Sequence, residues 1–134
     1  MLITFCTGKL HRVCVTGACL DYQGSITIDR KLMKAAGIVP FQMIHVNNLA
    51  NAVHWETYAI PGEVPGEVCL NGSPARLFHP GDKVIILALA HGTLAEAARV
   101  KQKVVHVDEN NSISRIELKS AAGTKIRKST QKKR

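Results

Sequence analysis

Residues 84–89 read Val84-Ile85-Ile86-Leu87-Ala88-Leu89, six apolar residues in a row behind the turn sequence His79-Pro80-Gly81-Asp82. Unbroken apolarity with β-branched residues, at this length and after such a break, predicts a strand buried on both faces. On its C-terminal side, Thr93 and Glu96 have capping-box spacing ahead of Ala97, Ala98 and Arg99 and predict a short helix. Val104–Val107 and Ile113–Leu118 then read as a hairpin joined around Asp108–Ser112. On its N-terminal side, Val68–Leu70 runs into the turn dipeptide Asn71-Gly72. Met43–Leu49 and Val53–Ile60 read as two strands, ended by the breaks Pro61-Gly62 and Pro65-Gly66. Asp29 is placed to cap a brief helix whose apolar side is Leu32, Met33, Ala35 and Ala36 and whose exit is Gly37. Ile26-Thr27-Ile28 and the stretch through Leu10, Val13 and Val15 complete the pattern. About seven short strands and two small helices predict an all-β dominated fold, a compact β-barrel with minor helices.

The chain has 134 residues, 46% hydrophobic and 21% charged, which suits a single compact domain with a real core. Its formal charge of +8 is concentrated at one end. Lys119, Lys125, Arg127, Lys128, Lys132, Lys133 and Arg134 lie in a final segment without acids, so residues 1–118 are nearly neutral and 119–134 read as a basic, disordered tail. That tail leaves open a binding module contacting nucleic acid, but the neutral body and 4% aromatic content offer no stacking platform. Nucleic acid is therefore an unfavoured partner. The apolar start Met1–Phe5 is too short for a secretion-signal core and no apolar run approaches a membrane span. Cys6, Cys14, Cys19 and Cys69 show no C-x-x-C spacing. Reduced thiols and a cytoplasmic location, with no membrane partner, are the expectation.

Phosphate-binding glycine loops, dinucleotide fingerprints and metalloprotease pairs are missing, and the six histidines and four cysteines follow no zinc spacing, so no metal site is expected. Attention falls on Tyr22-Gln23-Gly24-Ser25, between two predicted strands. Glycine frees the backbone, and a serine directly after it brings a hydroxyl within reach of the preceding carbonyl. Attack there converts an amide to an ester; elimination across the serine side chain and hydrolysis then leave a pyruvoyl group at a new amino terminus. Alone, Gly-Ser is among the commonest turn dipeptides.

Its surroundings distinguish it. Gly8-Lys9-Leu10-His11-Arg12-Val13, Val15-Thr16, Tyr22, Gly24-Ser25, Ile28-Asp29, Ala35-Ala36-Gly37-Ile38, Thr57-Tyr58-Ala59-Ile60, Asn71-Gly72 and Gly81-Asp82 with Val84-Ile85-Ile86 occur in order. Together they resemble the aspartate 1-decarboxylase family, the pyruvoyl-dependent enzymes that make β-alanine for pantothenate and coenzyme A. The resemblance spans about residues 1–118. It implies a double-psi β-barrel, a homotetramer with active sites between subunits, and self-cleavage at Gly24-Ser25 into a β chain of residues 1–24 and an α chain of residues 25–134. The cofactor implied is a covalent pyruvoyl group derived from Ser25, an electron sink that condenses with the amine of a small amino-acid substrate. Whether cleavage needs a maturation partner stays open.

By the same resemblance, Tyr58 is the proton donor and Thr57 polarises the scissile carbonyl and lines the substrate site. Lys9 and His11, two apart and so on one strand face, lie near the substrate carboxylates. Tyr22 bounds the pocket, and the loop Asn71-Gly72-Ser73-Pro74 closes it. Two positions depart from the family. His54 stands where an Arg usually grips a carboxylate through a two-pronged contact that histidine cannot copy. Ser73-Pro74 replaces Ala-Ala, and Pro74 has no N–H to donate. A decarboxylase of the same fold acting on another amino acid is therefore the alternative to one acting on aspartate.

Overall fold

The computed structural model describes residues 1–20, 25–121 and 123–128, so Tyr22 and Gly24 lie outside the described residues. Ten strands occur in it: β1 Leu2–Cys14, β2 Gly17–Cys19, β3 Ser25–Asp29, β4 Met43–Asn48, β5 His54–Gly62, β6 Val68–Asn71, β7 Lys83–Thr93, β8 Gln102–Val107, β9 Ile113–Ser120 and β10 Gly123–Lys128. Two short helices, α1 Arg30–Ala36 and α2 Leu94–Ala98, and a 3-10 turn at Ser73–Arg76 complete it. The strands form one continuous ladder in the order β10-β9-β8-β1-β7-β4-β5-β3-β6-β2. Pairing is mixed: β1 with β8, β3 with β5 and β2 with β6 run parallel, and the other neighbours antiparallel. This is the expected all-β, barrel-like fold with small helices.

The inward side chains are those that alternation selects. Ile26 and Ile28 on β3, Ile44 and Val46 on β4, Val68 and Leu70 on β6 and Val84, Ile86 and Ala88 on β7 are all fully buried in one cluster with Leu10, Val13 and Phe78. Both helices start where their caps predict. Asp29 Oδ1 accepts from Lys31 N at 2.8 Å while its Oδ2 accepts from Gly66 N at 2.8 Å, so one carboxylate ties the start of α1 to the 65–66 turn. Gly37 closes α1 in the left-handed conformation. Thr93 and Glu96 form the reciprocal capping box of α2, at 3.0 and 2.8 Å.

Three expectations are corrected. Val84–Leu89 is not buried on both faces: Ile85, Leu87 and Leu89 are only half-buried. Their cross-strand neighbours on that face are Lys9, His45 and Asn47, and this polar surround has no covering layer from the described residues of the same chain. Pro61-Gly62 forms the last two residues of its strand and not the break after it, because β5 pairs with β3 through Ile28↔Pro61 and Asp29↔Gly62. A disordered segment does not begin at Lys119. Strand β9 reaches Ser120, and β10 folds back on it from Gly123↔Ser120 to Lys128↔Arg115, backbone ladder bonds serving where hydrophobic side chains are few. Residues 129–134 lie outside the described residues.

Candidate active site

Ser25 opens β3 and is fully buried, with Asn71 of β6 as its cross-strand partner. The Asn71 amide uses both of its N–H groups there, donating from Nδ2 to Ser25 Oγ at 3.0 Å and to Thr27 Oγ1 at 3.1 Å. Its carbonyl Oδ1 accepts from Cys69 Sγ at 3.6 Å, and burial pushes the Cys69 thiol up, keeping it protonated as that donor. Every polar atom of the Asn71 side chain is thus engaged, which locks its orientation. The amide donates to the Ser25 oxygen, so the hydroxyl keeps its own proton to pass to an acceptor, the step that activates a serine as a nucleophile.

β5 lies on the other side of β3. The parallel register Ile26↔Ala59 sets Tyr58 level with Ser25 and Thr57 one residue further toward the start of β5. Thr57 is buried at 6% exposure and points inward with Ala59, while Tyr58 faces outward, half-buried, its ring 6.3 Å from that of Phe41. Gly72 follows Asn71 at φ 84°, a left-handed conformation that suits glycine, and its N–H donates to Cys19 O at 2.8 Å. That turn lets Asn71 end its strand with its side chain against Ser25 while the loop departs. Ser73 is exposed. Pro74 is buried in the first turn of the 3-10 helix, where no N–H is needed, which accounts for a proline in this loop.

The remaining sequence-predicted residues lie elsewhere in the chain. Lys9 and His11 are on β1, separated from β3 in the ladder by β7, β4 and β5. No hydrogen bond or ion pair among the described residues links Lys9, His11 or His54 to Ser25, Thr57 or Asn71. His11 meets His106 in register on β8, the rings 5.2 Å apart, beside a cavity of about 390 Å³ also lined by Arg12, Lys83, Asp108 and Glu109. Burial, then the positive charge of Lys9 and the nearness of His106 and Arg12, holds the His11 imidazole below its ordinary range, and its buried Nδ1 has no partner among the described residues. His54 opens β5 on the outer face. Its Nδ1 lies 2.7 Å from Asn47 Oδ1 and its Nε2 3.2 Å from Glu56 Oε2.

Sequence reasoning missed Thr27 and Cys69, which hold Asn71, and His45, Asn47 and Glu56, which surround His54. The alternation His54-x-Glu56-x-Tyr58 was the available signal for one shared face. His45 joins that face only through the β4–β5 register, His45↔Glu56.

The sequence model of a family described as "Aspartate decarboxylase" matches residues 1–114. The chain is 50% identical over 117 residues to an aspartate 1-decarboxylase of Salinibacter ruber, covering 86% of this chain and 80% of that one. It is 49% identical over 116 residues to an aspartate 1-decarboxylase of Campylobacter jejuni, covering 87% and 92%. It is also 50% identical over 114 residues to "Aspartate 1-decarboxylase 2" of Gloeobacter violaceus, covering 84% and 91%.

Proposed function

This chain belongs to the aspartate decarboxylase family, and from that premise we propose that it cleaves itself before Ser25 and converts L-aspartate to β-alanine and carbon dioxide with a pyruvoyl group derived from Ser25. The observation that carries the reading is the buried Ser25 Oγ, held by Asn71 Nδ2 at 3.0 Å. The residues fit the group: a fully buried serine at a strand start, a fixed amide donor beside it and the buried hydroxyl of Thr57 on the adjoining strand. Once formed, the pyruvoyl carbonyl supplies the electron sink for loss of the α-carboxylate. Asn71 orients the reacting oxygen, Thr57 polarises the neighbouring carbonyl, and Tyr58 holds the proton returned to the product carbon. Burial excludes water from Ser25, Asn71 and Thr57 and strengthens their contacts.

Lys9 and His11 face the substrate carboxylates from a neighbouring subunit of a homotetramer, with Tyr22 and the Asn71-Gly72-Ser73-Pro74 loop bounding the pocket. Their separation from Ser25 within one chain supports that reading, as does the buried His11 Nδ1, without a partner among the described residues. The mature protein then consists of chains 1–24 and 25–134. We place it in the cytoplasm, consistent with four free cysteines; no helix among the described residues is long and apolar enough to cross a membrane.

Intact-mass measurement on denatured protein tests the cleavage. Two pieces, residues 1–24 and 25–134, are expected, the larger lacking a free α-amine. Ser25→Ala should stay in one piece and release no carbon dioxide from L-aspartate. A wild-type chain that decarboxylates aspartate while uncut, or whose larger piece begins with an ordinary serine, overturns the proposal.

A further inference from the structure

On the outer face of β4 and β5, three side chains with metal-ligating atoms converge. His45 Nε2 lies 3.5 Å and His54 Nε2 3.2 Å from the same oxygen, Glu56 Oε2, and the ligand atoms of all three residues lie within 4.8 Å of one another. Among the described residues this is the one group of three His, Cys, Asp or Glu side chains that converges in this way. The other histidine–carboxylate contacts, His79 with Asp82 and His106 with Glu117, are pairs.

The separations have a definite meaning. Ligand bonds of 2.0–2.2 Å in a tetrahedral zinc site put neighbouring ligand atoms about 3.4 Å apart. The two histidine–carboxylate edges, 3.2 and 3.5 Å, bracket that value. The third edge closes by rotation of the half-exposed rings, which stand edge to face with centroids 4.8 Å apart. A further group then fixes one ring. His54 Nδ1 lies 2.7 Å from Asn47 Oδ1, and a proton on Nδ1 donated to that carbonyl leaves the Nε2 lone pair aimed at the carboxylate. A metal ion between the two lone pairs, or a second proton on the ring, satisfies both acceptors. An outer-shell carbonyl that sets the tautomer of a histidine is the usual support of a metal ligand.

We propose that His45, His54 and Glu56 form a site for a divalent transition-metal ion of the zinc class, two imidazoles and one carboxylate supplied by the protein and the outward position left to water. The donor set of two nitrogens and one oxygen excludes the hard ions calcium and magnesium, which take oxygen ligands. The site lies on the outward face of β5 that also carries Tyr58.

Cobalt(II), a coloured stand-in for zinc, tests the site on chelator-treated full-length protein. One equivalent per chain should bind saturably, zinc should displace it, and its visible spectrum should lack the thiolate-to-metal band that any of the four cysteines would give. His54→Ala and Glu56→Gln should each weaken binding by about 10-fold or more, and Asn47→Ala, which removes only the outer-shell carbonyl, by about 10-fold. His79→Ala should leave it unchanged. Glu56→Gln is isosteric and exposed, and an unaltered melting curve identifies it as folded. Absence of saturable binding, a thiolate band, or equal affinity in wild type and the His54 and Glu56 variants overturns the proposal.

Discussion

The two faces of β5 use similar chemistry under opposite conditions. Inward, Thr57 and Ala59 are buried beside a strand whose Ser25 and Thr27 hydroxyl oxygens share one fixed amide donor. Outward, His54, Glu56 and Tyr58 stand half-exposed or exposed, meeting His45 and Asn47 across the strand pair. A hydrogen bond in the dry interior is strong because its alternative is an unsatisfied group, whereas the outer contacts compete with water at every moment. The inner face is therefore suited to holding one geometry for bond rearrangement, and the outer face to taking up and releasing a ligand.

Removing the amide strikes hardest at that contrast. Asn71→Ala strips Ser25 Oγ and Thr27 Oγ1 of their shared donor, and self-cleavage, followed on denaturing gels over time, should slow by about 100-fold, the scale of losing one preorganised donor. Cleavage at the wild-type rate would show that the inner geometry does not depend on Asn71. Next in size is a stability test on adjacent residues of β4. Ile44 is fully buried and Met43 is 58% exposed. Ile44→Ala should cost about 3 kcal/mol and Met43→Ala under about 0.5 kcal/mol in chemical unfolding. Similar losses would mean that the outer face is covered in solution.

The smallest effect concerns an outer carboxylate. The hydrogen bond from His106 holds the Glu117 carboxyl below its ordinary range, helped by the charges of His106, Lys119 and Arg115 and opposed by burial. The unfolded chain then takes up the proton first as pH falls. The stability contributed by Glu117 is complete above the ordinary glutamate value of 4.5 and is lost as pH drops through the lower folded value. Melting temperatures of wild type and Glu117→Gln should differ most at neutral pH and converge in acid. A gap that widens below pH 4.5 would contradict the sign.

Local signals were the most legible. Asp29 with Gly37 and Thr93 with Glu96 delimit the two helices because caps act within a few residues of chain. The alternation in β3, β4 and β6 revealed inward residues for the same reason. Legibility failed where a partner strand decides. Pro61 stays in a strand because β3 pairs with it, and Lys125 and Arg127 belong to a strand because β9 supplies a ladder. Apolar Ile85 and Leu87 look like core from composition, yet their neighbours Asn47, His45 and Lys9 leave that face half-open. At the site, Gly24-Ser25 and Thr57-Tyr58 stood out as motifs, and Asn71 as part of the loop closing the pocket, but nothing in the sequence showed its grip on Ser25.

By itself the amino-acid order determined an all-β body, its two capped helices, and the run of motifs that marks the family, since each depends on residues close along the chain or on their succession. Tertiary structure alone decided which distant groups meet: Ser25 with Asn71 across β3 and β6, and His45 with Glu56 across β4 and β5. Register is the reason. Shifting a strand by one residue turns every side chain to the opposite face, so a contact between two strands exists only once their pairing is set.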